Sequence, residues 1–313
     1  MRVVIIGGTG HIGTFLVPRL VAAGHEVVVV SRSQRQPYVA HGAWDSVTTV
    51  TLDRAADGFG AAIADLGADV VIDLICFAVA EATELVESLR GRVEHFLHCG
   101  TIWVHGPSAS VPTTEAQPRR PINPYGRAKA DIEDYLRVQA RRHGFPATVV
   151  HPGHISGPGW VPINPAGNVN PEVFTRLARG EQVVLPNHGM ETVQHVHADD
   201  VAQVFVAAME RRAVTIGESF HAVAATATTL RGFAEAVAGW FGRSADLAFL
   251  PWEQWRVDAD PDDARLTLDH ISHSPHCSIE KPVRLLGYRP RYTALEAVRD
   301  ALDELVATGV VTP

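Results

Sequence analysis

The sequence predicts an α/β protein: a doubly wound parallel sheet covered by helices on both faces, followed by a smaller, irregular α/β lobe. Three observations carry that expectation. Short, continuously apolar runs rich in β-branched residues alternate with helix-like stretches through the first half of the chain. The first of these runs ends in a cluster of glycines. Near Ser156 the texture changes to Gly157-Pro158-Gly159-Trp160-Val161-Pro162-Ile163-Asn164-Pro165, which is too rich in breakers for a regular element.

In chain order, residues 3–6 form the first predicted strand and 12–23 the first helix, with Gly7-Gly8-Thr9-Gly10-His11-Ile12-Gly13 bridging them. This strand–glycine–helix order is the Rossmann fingerprint for a dinucleotide. Gly7 and Gly10 allow a tight turn and a close approach to a pyrophosphate, and Gly13 lets helix and strand pack closely. The backbone N–H groups at the helix start, at His11 and Ile12, face the anion. Pro18 falls inside this helix, where it should cost about 3 kcal/mol or impose a kink.

The second strand, 26–30, runs into Ser31-Arg32-Ser33-Gln34-Arg35. An acidic residue there would hold the ribose 2′-hydroxyl of NAD. Two guanidiniums, Arg32 and Arg35, with the hydroxyl of Ser31 suit the 2′-phosphate of NADP, which is therefore favoured over NAD. Strand 47–52 leads to Asp53, placed to meet the adenine. Helix 60–65, strand 70–74, helix 80–90, strand 95–98, helix 126–142 and strand 148–150 complete the alternation.

Ligands of such sheets bind beyond the carboxyl ends of the strands. Thr101 follows the fifth strand, and Tyr125 and Lys129 lie four apart on the next helix, hence on one face. An ammonium beside a phenol lowers a pKa that starts near about 10 and would tune Tyr125 as a general acid or base. Thr101 can bond the same substrate oxygen.

With these motifs in register, the chain resembles the extended short-chain dehydrogenase/reductase superfamily, in its NAD-dependent epimerase/dehydratase-like branch. The resemblance continues through His151-Pro152-Gly153-His154-Ile155-Ser156-Gly157-Pro158, Val196-His197-Ala198-Asp199-Asp200-Val201-Ala202 and Leu285-Leu286-Gly287-Tyr288-Arg289-Pro290. It implies that Tyr125 is the catalytic acid/base, that Thr101 holds the catalytic Ser/Thr position, and that Lys129 binds the nicotinamide ribose. It also implies that Ile75, Cys76 and Phe77 line the cofactor cleft and that Pro152 and His154 border the nicotinamide. Two departures stand out: His151 replaces a common Arg, and Val193 falls where nucleotide-sugar members carry an Arg for the diphosphate. A smaller sugar, a sugar acid or another hydroxyl or carbonyl compound becomes plausible. Hydride transfer at a secondary alcohol or ketone of a sugar-like substrate is the expected chemistry. A carbonyl reductase of a non-sugar molecule and a non-catalytic dinucleotide-binding scaffold remain as alternatives.

The expected domains are 1–155 for the dinucleotide and 156–313 mainly for substrate, with about 195–212 returning to the first. Helical patterns recur at 171–179, 199–211, 229–241 and 294–305. Trp103, His151, Trp160, Asn164 and His195 are the candidate substrate contacts. The chain holds 16 histidines, several along the expected cleft, but no H-E-x-x-H or paired C-x-x-C, so no metal is expected. Its 313 residues carry 27 Lys plus Arg against 35 Asp plus Glu, a net charge of −8, which opposes nucleic-acid binding and attraction to an anionic membrane. Three cysteines exclude a disulfide framework, and neither a signal peptide nor a run of about 18 apolar residues is found. A cytoplasmic protein is expected, acting on a small molecule, with a homodimer through helices 80–90 and 126–142 by analogy.

Overall fold

The computed structural model describes residues 1–32 and 35–313; Ser33 and Gln34 of the expected basic segment lie outside the described residues. Six strands follow the predicted alternation: β1 (Arg2–Ile6), β2 (Glu26–Ser31), β3 (Thr48–Thr51), β4 (Val70–Asp73), β5 (His95–Cys99) and β6 (Ala147–Pro152). With Ser219–Ala222 they form one seven-stranded parallel sheet, ordered Ser219–Ala222, β6, β5, β4, β1, β2, β3. Strand order reverses between β1 and β4, so the crevice beyond their carboxyl ends is the natural ligand position.

The apolar runs are continuous because both faces of the sheet are covered. Val3 and Ile5 enter one core with Leu16, Val29 and Phe205, whereas Val4 and Ile6 enter the other with Ile63, Leu85 and Ile132. Four helices connect the strands: α1 (His11–Ala22), α2 (Phe59–Ala64), α3 (Val79–Leu89) and α4 (Pro124–His143). α4 begins where the Asn123 side chain accepts the Gly126 N–H at 2.8 Å, with Pro124 in the first turn, and ends at left-handed Gly144. α1 runs through Pro18 without ending there.

The chain returns to the first lobe for longer than 195–212. His195–His197 pairs with His154–Ser156, helix Ala198–Glu210 packs against α1, and Ser219–Ala222 then joins the sheet beside β6. The second lobe has its own core around Phe174, Phe233, Val237 and Leu302. Trp255 is buried there and donates its indole N–H to the Val184 carbonyl at 2.8 Å. Two helices of this region, Trp252–Asp258 and Pro261–His273, were not expected from the sequence. Among the described residues no helix is long and apolar enough to cross a membrane.

Candidate active site

The glycine turn closes at the switch point. Gly7 takes a left-handed φ of 82° and accepts the Gly10 N–H at 3.0 Å, while a Cβ on Gly7 would sit 2.6 Å from Ile75. A Cβ on Gly13 would lie 1.9 Å from the Gly8 carbonyl oxygen, so only glycine lets α1 approach β1. Gly10 caps α1 with no side-chain partner, and the first turn holds no acidic residue. The cradle therefore offers free amides and a positive helix end, which fits a pyrophosphate. Ser31, the last residue of β2, is buried, whereas Arg32 and Arg35 beyond it are exposed. The Arg35 guanidinium lies 4.5 Å from the Tyr38 ring centroid and bonds its hydroxyl. Asp53 is exposed after β3, where its carboxylate accepts the Ala55 N–H at 3.0 Å.

Thr101, Tyr125 and Lys129 gather at the ends of β4 and β5. Thr101 leaves β5 in extended backbone, its hydroxyl accepting the Trp103 N–H at 3.3 Å on the side facing Tyr125. Tyr125 lies between Phe77 and Trp103, with ring centroids 6.3 and 6.0 Å away. Lys129, one turn on, is 1% exposed and donates to the carbonyls of Cys76 and Cys99, both at 2.7 Å, beneath the Phe77 ring.

The expected tuning of the phenol differs in this chain. Tyr125 is 41% exposed; partial desolvation, then the neighbouring Cys99 thiol, push its pKa up, while the Thr101 hydroxyl pulls it down. Lys129 spends its protons on two carbonyls, and burial lowers its own pKa. Cys76 and Cys99 are buried, with thiols pushed up to about 12 and about 11, chiefly by desolvation, so neither is an activated nucleophile.

Several expected substrate contacts stand elsewhere. His151 has no exposed surface: its Nδ1 accepts the Thr101 N–H at 3.0 Å, and its Nε2 lies 3.2 Å from a Glu133 oxygen. Asn164, equally buried, knots its own loop by bonding Asn168, the Asn170 carbonyl and the Ala166 N–H. His195 is 1% exposed, with Nε2 against the Ile163 carbonyl at 3.0 Å. Trp160 leans on the glycine turn, stacked on His11 with centroids 5.0 Å apart and edge-on to Tyr38. Trp103 keeps its place beside Tyr125, edge-on to His154 and His270 and stacked on His273 at 4.5 Å.

His270 and His273 stand on helix Pro261–His273, which is not among the helices expected from the sequence although Asp260, Pro261 and two acidic residues mark a helix start there. With His154 and His195 they form a buried cluster of imidazoles beside Trp103 whose pKa values burial drives down, to about 3 for His195 and about 4 for His270. Val193 is fully buried in the second-lobe core, so no cation stands at that position.

One other cluster deserves chemical comparison. Asp73, Cys76 and His98 bring one ligand atom each within 4.8 Å of one another. Both Asp73 oxygens, however, are bound by Arg54 at 2.9 and 2.7 Å, and the Cys76 thiol resists ionisation. This donor set opposes a cation. A cavity of about 740 Å³ lies outside the cleft, between α4 and Ser219–Ala222, where Arg119, Arg141 and Lys281 are paired with Glu133 and Glu218.

Comparison with known proteins adds the following. The model of the NAD dependent epimerase/dehydratase family matches residues 3–222. The chain is 29% identical over 203 residues to the 2'-dehydrokanamycin reductase of Streptomyces kanamyceticus, covering 64% of this chain and 55% of the reductase. It thus spans about half the length of that relative. It is 26% identical over 275 residues to the UDP-glucose 4-epimerase of Mycolicibacterium smegmatis, covering 80% and 86% of the two chains. It is also 26% identical to the chloroplast stem-loop binding protein of 41 kDa b of Arabidopsis thaliana, over 96% of this chain and 78% of that one. Among solved structures, the UDP-glucose 4-epimerase of Thermotoga maritima superposes with a TM-score of 0.76 at 23% identity, covering 98% and 99%. A UDP-glucuronic acid 4-epimerase of Bacillus cereus bound to NAD does so with 0.73 at 17%, covering 98% and 100%. These two share the fold.

Proposed function

Because the chain belongs to the NAD-dependent epimerase/dehydratase family, we propose that it moves hydride at a secondary alcohol or ketone of a sugar or sugar-like molecule. The observation that carries this reading is the meeting of Thr101, Tyr125 and Lys129 at the mouth of the glycine cradle. The neighbouring hydroxyls of Thr101 and Tyr125 form a seat for one substrate oxygen. Tyr125 returns a proton to that oxygen when a carbonyl is reduced and takes it when an alcohol is oxidised. Lys129, fixed by two carbonyls, offers its third proton to a ribose hydroxyl. A nicotinamide dinucleotide, once bound, supplies the hydride donor or acceptor and, oxidised, a positive charge near the phenol.

Gly7, Gly10, Gly13 and the amides of His11 and Ile12 would hold the pyrophosphate, with Ile75, Cys76, Phe77, Pro152 and His154 along the rest of the cofactor. Ser31, Arg32 and Arg35 favour NADP, and Asp53 would meet the adenine. A homodimer through α3 and α4 belongs to the same reading.

Val193, fully buried and apolar, leaves no cation at the position expected for a diphosphate, which favours a ketone or alcohol without one. The test is to purify the protein without added cofactor, denature it and assay the released dinucleotide. Tight retention supports an epimerase, whereas free exchange with turnover of NADPH supports a reductase. Failure to bind either NAD(H) or NADP(H) overturns both.

A further inference from the structure

We propose that His151, footed on Glu133 and Arg119, is a positioning residue that holds Thr101 at a fixed spacing from Tyr125. The proposal rests on the reading of Thr101 and Tyr125 as the pair that seats the substrate oxygen. Its starting point is a backbone contact. The Thr101 N–H donates to His151 Nδ1 at 3.0 Å, with both residues buried. The neighbouring glycine makes this approach possible: a Cβ on Gly100 would sit 2.4 Å from that same nitrogen.

Accepting at Nδ1 settles the chemistry of the ring. A neutral imidazole has one acceptor and one donor, so the proton lies on Nε2, facing Glu133 at 3.2 Å. The Glu133 carboxylate takes two bonds from Arg119, at 2.8 and 2.5 Å. Arg119 is anchored in turn on the carbonyls of Glu115 and Gln117, at 2.9 and 2.8 Å.

Topology gives the chain of contacts its use. Tyr125, Lys129 and Glu133 succeed one another at four-residue intervals along α4, on one face. Thr101 stands on a separate element, at the end of β5. Through His151, whose Nε2 lies 3.2 Å from Glu133, it is brought against the same helix that carries Tyr125. Movement of the Thr101 backbone away from His151 breaks a buried contact at Nδ1, which leaves a donor unsatisfied.

The test separates an acceptor from a filler. His151→Gln keeps a side-chain oxygen able to accept, whereas His151→Leu and His151→Arg carry no acceptor. Amide hydrogen exchange at Thr101 should quicken about tenfold in the Leu and Arg variants and stay near wild type in the Gln variant. The ultraviolet titration of Tyr125, taken as the difference from Tyr125→Phe, should move up in pH with Leu or Arg and not with Gln. Wild-type exchange and titration in a folded Leu variant overturn the proposal, as does a Gln variant as impaired as Leu. Should the Leu and Arg variants not fold, nitrogen NMR of the unmodified protein decides. Nδ1 of His151 must be unprotonated and coupled to the Thr101 amide, and a protonated Nδ1 overturns the idea. None of these measurements uses substrate. If Tyr125→Phe keeps full turnover of an identified substrate while the exchange results hold, the catalytic reading fails and the tether stands.

Discussion

Tyr125 and Lys129 sit one turn apart, yet the ammonium serves two backbone carbonyls rather than the phenol. Tyr125→Phe keeps the ring and removes the proton. It should lower kcat on an identified substrate by about 10²–10⁴-fold. Dinucleotide affinity, followed by fluorescence titration, should stay unchanged. Intact turnover would falsify the role assigned to the hydroxyl. Trp160 belongs to the opposite end of the cleft. Its stack on His11 rests directly above the amides that would receive the pyrophosphate. Trp160→Ala should therefore weaken NADPH binding about tenfold, the equivalent of one lost aromatic contact. Most of the quenching of intrinsic fluorescence by NADPH should vanish with it, and a variant that binds and quenches like the parent removes Trp160 from the cofactor side.

The glycine turn is the element on which everything else is indexed. Gly13→Ala drives a methyl into the Gly8 carbonyl at 1.9 Å, so α1 must shift away from β1. The expected result is a loss of more than about 2 kcal/mol in urea-unfolding stability, together with dinucleotide binding. A stable variant that still binds would show that the turn tolerates displacement. The same element was plain in the sequence, because bare backbone at fixed spacing leaves a mark in residue identity. β1, β2 and β4 were equally plain: burial on both faces demands apolar residues at every position. Ser219–Ala222 was not, since Ser-Phe-His-Ala places a serine and a histidine in a buried strand. His221 is accommodated by His105 at 2.9 Å and the Ser278 carbonyl at 3.1 Å, partners remote in sequence. Asn164 and His151 were assigned to substrate from position alone. Their partners, Asn168, Glu133 and the Thr101 amide, appear only once the chain is folded.

Across the whole molecule, buried histidines set the response to acid. His11, His95 and His270 are lowered to about 4, and His105 and His195 to about 3, from 6.5 in the unfolded chain, mainly by desolvation. Between those values the unfolded chain binds protons that the folded one refuses, so stability must fall as pH drops. The urea midpoint should hold level above about pH 7 and decline steadily from about 6.5 towards 4. The carboxylates of Glu133 and Asp199, lowered by their cation partners, lose their contribution in a more acidic window. A midpoint that stays flat from pH 7 to 5 contradicts this account. The parallel seat of Ser219–Ala222 beside β6 has a different consequence, in time rather than energy. On the ribosome, β6 is made well before the strand that covers its edge, and the intervening second-lobe residues must emerge first. The nascent first lobe therefore waits with an open hydrogen-bonding edge, the stage of synthesis at which a chaperone has most to protect.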